Sequence, residues 1–581
     1  MINKVPRTVK TATQRLNILI VPKIMHLAYV VRLILDQPGV KRRSSSDLIF
    51  FSRGKFPKLG MAASDFTAQA ERQKNLDIVI DCLEAEEIEY FVIPNTVQGS
   101  YKVGIQAKDK KKFIENLRKR YDDTGVYIAA ANKYTNDLNL RQILSSKKSP
   151  KILVQDTNAL CIYRFVLSPD LYVLAGDEVG CVIEFWERSD NKHRLLYLKN
   201  KLVELRVNTE LSLLKNTLIA PAENLITGII PLDEVKVEYM HIGEKKYRTY
   251  DVFNKNTIYD IDFPIDVVYS WVDGSDPKWK AKFNKFKGIT ENASDRNNTE
   301  SRYIDRQELK YSLRSLHMYA PWVRNIYIVT DGQVPDWLDQ SIPGVRIVDH
   351  KDIFYDSSVL PVFNSHAIGA QIHHIKGLSD RYLYLNDDMM FGREIRPHNF
   401  FFANGIAKVF ASPALIHAGS PKNFEPAPSS AGKNVRKALE DSFGRHITHK
   451  FKHAPNPQIK EVAFEIENKY SDIVKRTISS RFRSKNDVQF ASMFHHSYSL
   501  ITGKAVIGNM KLAVVNISHE SAGSALNELL KSRSAYTICL NESETAKERY
   551  EAVEEMVHKF FESYFPYPSP WEKRTNNPSS E

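Results

Sequence analysis

Between Ile265 and Met390, short runs of β-branched and aromatic residues each stop at an Asp, Asn or His. The runs cover 265–272, 325–329, 345–348 and 382–385. They end in Asp273-Gly274, Thr330-Asp331-Gly332, Asp349-His350 and Asn386-Asp387-Asp388. Leu309, Leu313 and Leu316 recur at helical spacing between the first two runs, and Ile368, Ile372 and Ile375 do so between the last two. The pattern predicts strand, helix, strand, strand, helix, strand: an open, Rossmann-like α/β sheet, in which ligands sit outside the carboxyl ends of the strands. Here that edge is lined with carboxylates and Asn, the donor set of a divalent cation that holds a diphosphate.

Upstream, Leu76, Val79, Ile80 and Leu83 mark a helix leading into a strand at 90–93. Strand-like runs follow at 101–105, 126–130, 160–167 and 180–186, with a charged helix over 108–120. This predicts an α+β accessory domain over 61–260 and a catalytic domain over 261–573. Residues 37–56, mixed in Pro, Gly, Ser and Arg, read as a linker within a basic N-terminal segment, 1–60, and 574–581 as a tail. The stretches 275–302 and 417–433 read as loops, the first a candidate lid because it nearly lacks aliphatic residues. At 550–564, Val553, Met556, Val557, Phe560 and Phe561 define one apolar helix face.

Size and charge narrow the class. A chain of 581 residues with 43% hydrophobic positions exceeds one core. The 81 Lys and Arg against 69 Asp and Glu give a net charge of +12, suited to an anionic lipid or polymer. Nucleic-acid binding is not expected, since no recognised motif is present. Cys82, Cys161, Cys181 and Cys539 follow no paired spacing, which points to a reducing cytosol rather than a disulfide framework. No run approaches the roughly twenty apolar residues of a membrane span. Residues 16–35 come nearest; Lys23, His26 and Arg32 interrupt them, leaving either a helix lying on a membrane face or one docked on the protein.

Three constellations carry candidate chemistry. Asp273-Gly274, flanked by Trp271 and Trp279, is a tight turn or a base-stacking wall. In Asn386-Asp387-Asp388 adjacent carboxylates repel, so a cation or a raised pKa is expected; one can bind metal while the other accepts a proton. His453, Arg481-Phe-Arg483, Asp487 and Asn541-Glu542 are scattered, and taken singly each reads more readily as a surface salt bridge or capped loop than as a phosphoryl contact.

Taken in order, Ile265-Asp-Val-Val-Tyr-Ser-Trp-Val-Asp-Gly-Ser-Asp-Pro, Arg306-Gln-Glu-Leu-Lys-Tyr-Ser-Leu-Arg-Ser-Leu, the segment 320–335, Leu360-Pro-Val-Phe-Asn-Ser-His-Ala-Ile and Leu385-Asn-Asp-Asp resemble the first two regions of the Stealth family. Residues 453–487 resemble its third region and 539–541 its fourth. Stealth proteins are sugar-phosphate transferases, among them bacterial capsule polymerases and the animal enzyme that places GlcNAc-1-phosphate on lysosomal glycoproteins. The resemblance implies transfer of a hexose-1-phosphate, N-acetylhexosamine-1-phosphate in the first instance, from a nucleotide-sugar donor to an oligosaccharide or polysaccharide hydroxyl, with a nucleoside monophosphate leaving. It implies Asp388, His453 and Arg483 as catalytic residues. Asp387, Asp487 and Asn541 are expected around Mg2+ or Mn2+, and Asp273, Gly274, Arg306, Glu308, Arg314, Asn364, Ser365 and Asn386 in donor binding or site architecture. The fourth region departs from its relatives at Glu542, where many carry Asp. With no spanning segment and no cysteine-rich insert, the expected setting is cytoplasmic, with the basic surface available to the inner membrane face or capsule export machinery. A metal-dependent glycosyltransferase that releases nucleoside diphosphate, and a non-catalytic polysaccharide-binding protein, are the alternatives.

Overall fold

The structure, a computed structural model, describes residues 48–53, 56–95, 99–121, 124–131, 157–288, 303–423, 425–542 and 545–573. The amphipathic segment at 16–35, residues 289–302 of the expected lid and the tail at 574–581 lie outside the described residues. Among the described residues no helix is long and apolar enough to cross a membrane.

The N-terminal lobe is built on a seven-stranded sheet that contains Tyr90–Asn95, Ser100–Gln106, Val126–Ala130, Ala159–Arg164 and Cys181–Arg188. Helices Ala68–Glu84 and Lys110–Tyr121 supply Leu76, Val79, Leu83, Phe113 and Leu117 to its core. The expected linker is partly strand: Leu48–Arg53 pairs antiparallel with Phe56–Ala62, and Phe51 is buried. Ile49 and Phe51, alternate positions of that strand, pack into a cluster with Tyr163 and Phe165, which outweighs the turn-forming residues around them.

In the second lobe the elements are β1 (Ile265–Ser270), α1 (Pro277–Lys287), α2 (Glu308–Tyr319), β2 (Ile326–Thr330), β3 (Val345–Asp349), α3 (Ser365–Gly369), β4 (Arg381–Asn386), β5 (Met389–Phe391), β6 (Asn456–Ile459), α4 (Lys460–Lys469), β7 (Leu512–Asn516) and β8 (Thr537–Asn541). One sheet runs β3-β2-β1-β4-β6, with the first four strands parallel and β6 antiparallel. The strand order reverses direction at β1, between β2 and β4, which opens a crevice at their carboxyl ends. A smaller sheet, β5-β8-β7, sits immediately after β4. The lobes share a core: Phe66, Ala68, Val166 and Val179 cluster with β1, β2 and α2, and Arg72 pairs with Glu394 across the seam at 2.5 Å.

Three sequence expectations change. Pro277–Lys287, inside the expected loop at 275–302, is a helix because the Asp276 side chain accepts from Lys278 N at 2.8 Å and Pro277 opens the first turn. Its apolar face is aromatic rather than aliphatic, Trp279 and Phe283 packing on Phe363 and Phe482. The second loop, 417–433, runs into a helix, Ala427–Phe443, with Val435 and Leu439 buried. The isoleucine-spaced helix at 368–375 is instead α3 followed by a separate single turn, Ile372–His374, because Gln371 leaves helical geometry at φ −123°.

Candidate active site

β4 ends at Asn386, and the chain turns through Asp387 and Asp388 into β5. β8 locks that turn: Leu540 N donates to Asp388 O at 3.1 Å, and Cys539 Sγ to Asp388 Oδ2 at 3.5 Å. Asp388 N donates to Asp387 Oδ1 at 3.1 Å, fixing the two carboxyl groups relative to each other. The fourth conserved stretch therefore reaches the acidic pair through β-sheet pairing, a contact invisible along the chain.

Burial, then the neighbouring charges of Asp388, Glu308 and Asp305, push the Asp387 carboxyl well above the usual range. Burial likewise raises Asp388, with His453 and Cys539 opposing it. Glu308 is pushed up to about 8 by burial and then by Asp305, whose own value rises to about 6, again chiefly by burial. Four carboxyl groups thus influence one another here, with His453 opposing the rise at Asp388. Asp388 Oδ1 is buried without a hydrogen-bond partner. Oxygen donors of this kind suit a hard cation such as Mg2+ or Mn2+, which would have to draw the carboxyl groups closer together to be ligated by them.

Asp305 was not among the sequence candidates, although its place three residues before Glu308 at the mouth of α2 was a usable signal. Its Oδ1 accepts from Gln307 N at 3.0 Å and holds Gln307 in a left-handed conformation at φ 64°, which aims Arg306 and Glu308 to their places. Glu308 Oε2 accepts from Arg306 N at 2.6 Å. Arg306 forks onto Glu542 at 2.6 and 3.2 Å. Glu542 is thereby the anchor of this arginine rather than a lengthened metal ligand.

A second cluster lies around Asp487. Its Oδ2 accepts from Asn364 Nδ2 and from Ser484 N, both at 2.8 Å, and its Oδ1 is buried without a partner. Asn364 caps α3 by accepting from His366 N at 3.0 Å, and its amide also donates to Ser480 O at 3.0 Å. Arg483 donates to Ser365 Oγ at 2.7 Å. Tyr384 joins the clusters: its hydroxyl meets Ser270 Oγ at 2.9 Å, and its pKa, raised first by burial, responds to Asp387 and Arg483 in opposite senses. Gly274 stands where a Cβ would come within 2.5 Å of the Tyr303 carbonyl, so the glycine admits the strand-like approach that leads to Asp305. Gln333, another residue the sequence reading passed over, brackets Asp273 by accepting from its N at 3.1 Å and donating to its O at 2.9 Å.

Other candidates stand apart or at the rim. Arg314 is committed elsewhere, to Glu572 at 2.9 Å through two nitrogens and to Phe565 O at 3.0 Å, where it ties down the C-terminal segment. Asn386 lies opposite Ser270 at the strand ends, and Asn541 lies opposite Asn516, its carbonyl accepting from Ile517 N at 3.0 Å.

Family models match in sequence order: Stealth protein conserved region 1 over 263–291, region 2 over 302–409, region 3 over 452–499 and region 4 over 527–580. An exopolysaccharide phosphotransferase of Streptomyces coelicolor is 34% identical over 541 residues, covering 90% of this chain and 87% of the relative. The exopolysaccharide phosphotransferase CpsY of Mycobacterium tuberculosis is 36% identical, covering 92% and 93%. Among solved structures, the galactosyltransferase LgtC with donor and acceptor sugar analogues aligns at a TM-score of 0.29 and 11% identity, covering 53% of this chain and 99% of that one. The bifunctional glycosyltransferase WbbM aligns at 0.29 and 10%, covering 56% and 54%. On its relatives' identity over nearly the whole chain, and on four family regions matched in sequence order, the protein belongs to the Stealth family and is a phosphotransferase.

Proposed function

We propose that the protein transfers a hexose-1-phosphate from a nucleotide sugar to a sugar hydroxyl of a growing exopolysaccharide and releases a nucleoside monophosphate. The observation that carries this reading is the Asp387–Asp388 pair, held on the carboxyl edge of a parallel sheet against Asp305 and Glu308 with His453 beside it. The names of the relatives, exopolysaccharide phosphotransferases, give the acceptor class.

Asp387, with Asp305 and Glu308 near it, would hold the cation. A bound Mg2+ or Mn2+ supplies charge neutralisation to the donor diphosphate and lowers the protonation of this acid cluster. Asp388 takes the proton of the attacking hydroxyl, its unpaired Oδ1 being the acceptor atom. The new bond forms between the acceptor oxygen and the phosphorus that carries the sugar, and the bond from that phosphorus to the bridging oxygen breaks. The nucleoside monophosphate leaves with that oxygen, and the product is a phosphodiester. His453 opposes the rise in the Asp388 pKa and so favours its basic form. Arg483, oriented by Ser365, offers a fork to phosphoryl oxygens, and Asp487 acts at one remove by fixing Asn364 and the loop that carries Arg483. Asp273, Gly274 and Asn386 shape the donor side of the crevice.

The test is product analysis. Protein with Mg2+, a panel of nucleotide sugars and oligosaccharide acceptors should release monophosphate in proportion to acceptor and yield a phosphodiester phosphorus resonance. Diphosphate without that resonance would mean attack at the anomeric carbon, the glycosyltransferase reaction, and would remove this reading.

A further inference from the structure

Away from the acidic pocket, three side chains converge with no part in the chemistry above. His373 Nε2 lies 3.1 Å from Glu467 Oε2, and His374 Nε2 lies 3.0 Å from both Glu467 oxygens. Among the described residues this is the one group of three His, Cys, Asp or Glu whose ligand atoms all fall within 4.8 Å of one another. We propose that His373, His374 and Glu467 form a second metal site, for a borderline transition-metal ion of the Zn2+ class, distinct from the oxygen-rich pocket that takes Mg2+ or Mn2+.

The geometry suits such an ion. Tetrahedral bonds of about 2.0–2.1 Å to imidazole nitrogen and carboxylate oxygen place neighbouring donor atoms roughly 3.3 Å apart. The nitrogen-to-oxygen separations of 3.0 and 3.1 Å need only a few tenths of an ångström of adjustment, while ligand atoms of the group stand up to 4.8 Å apart, so an ion would also draw the two imidazoles together. Two imidazoles and one carboxylate select Zn2+, Co2+ or Ni2+ over Mg2+, which prefers oxygen throughout.

The surroundings prepare the ligands. The His373 ring is fully buried and the His374 ring partly so, which holds both imidazoles in place against Glu467. Glu467, against the upward push of burial, is held ionised by its bonds to the two histidines. The fully buried Gln371 donates to Glu467 Oε1 at 3.3 Å and orients the carboxylate. Phe490 stacks on His373 with centroids 5.5 Å apart, and Phe464 meets both imidazoles edge-on at 4.8 and 5.3 Å. These rings exclude water from one side. The His374 and Glu467 side chains are 27% and 16% exposed, so the remaining coordination position opens to solvent.

The ion would cross-link parts that carry the active site. His373 and His374 end the segment that begins with Asn364 and Ser365, and Glu467 lies on α4, which leaves β6 soon after His453. The aromatic wall at Phe490 follows Asp487 by three residues. A metal here is a staple that holds the Asn364 cap and the third conserved region together.

Cobalt substitution tests this. Full-length chelator-treated protein, saturated with Mg2+ to occupy the acidic pocket, is titrated with Co2+ while visible absorbance and melting temperature are followed. The expected result is one Co2+ per chain with an intense d–d band and a raised melting temperature, both lost in His374→Ala and Glu467→Gln and both kept in Asp387→Asn. Glu467→Gln retains an oxygen acceptor for the histidines, so its metal-free melting temperature should match the parent and separate loss of the site from loss of the fold. A band absent from the parent, or unchanged in both variants, overturns the site. A band lost only in Asp387→Asn assigns the ion to the acidic pocket and also overturns it.

Discussion

The two ends of the five-stranded sheet carry buried carboxylates of opposite character. At the amino end, Asp266 on β1 accepts from Arg324 at 2.8 and 2.5 Å, from Asn325 N at 3.1 Å and from Ser379 N at 2.7 Å. Each of its oxygens has two partners, and it joins β1 to the entries of β2 and β4. At the carboxyl end, Asp387 and Asp388 stand among other acids, and Asp388 Oδ1 has no partner. The same side chain is a structural rivet where donors surround it and a chemical group where they are withheld. Burial alone does not separate the two cases; the supply of donors does.

The comparison can be broken most sharply by making each carboxyl uncharged. Asp388→Asn should lower kcat by about 10³-fold, in the range expected for loss of a general base, while the fold melts no lower than the parent. A melting temperature well below the parent would show that the group is structural after all. His453→Gln should cost about 10²-fold in kcat/KM. It should also move the acid limb of the pH–rate profile to higher pH, because His453 opposes the rise in the Asp388 pKa. An unmoved acid limb would detach His453 from the base.

At the other end, Asp266→Ala should destabilise by about 2 kcal/mol, chiefly by stranding the buried backbone donors that the carboxylate satisfies, since its Arg324 partner is 41% exposed, with kcat unchanged below the melting transition; urea unfolding measures the first and steady-state kinetics the second. The smallest effect concerns the acid crowd itself. Glu308 and Asp305 have folded values above their ordinary ones, so the folded state holds protons that the unfolded state releases. The stability they contribute is present below the ordinary carboxyl range and is lost as pH rises through about 6 to about 8. Cation-free protein should therefore melt progressively lower across that window, and Glu308→Gln should flatten the trend and raise the melting temperature at pH 8 by about 2–4 °C. Melting curves with and without Mg2+ read this directly, since the cation should remove most of the pH dependence.

Much of this was legible along the chain because strand periodicity places side chains by position alone. The runs at 265–272 and 382–385 located β1 and β4 to within two residues at each end, and the acids beyond them fell on the expected edge. The helix Tyr550–Tyr564 emerged with its predicted apolar face buried at Val553, Val557, Phe560 and Phe561. Aromatic faces were harder to see: α1 packs through Trp279 and Phe283 within a stretch that looked like loop because its aliphatic content is low. Asp266 gave no signal, since one acid inside an apolar run does not announce that Arg324 and Ser379 will close on it.

What the sequence determined by itself was the local grammar: alternating strands and helices, carboxylates at strand ends, and the ordered motifs of the family. Tertiary structure alone decided which charges meet. It brought Asp305 and Glu308 to Asp387, set Glu542 on Arg306, sent Arg314 to Glu572, and drew Glu467 to His373 and His374. The reason is physical. Strand and helix propensities act over a few residues, whereas the free energy of a buried charge depends on every donor, acceptor and carboxylate that folding places within a few ångströms, whatever their distance along the chain.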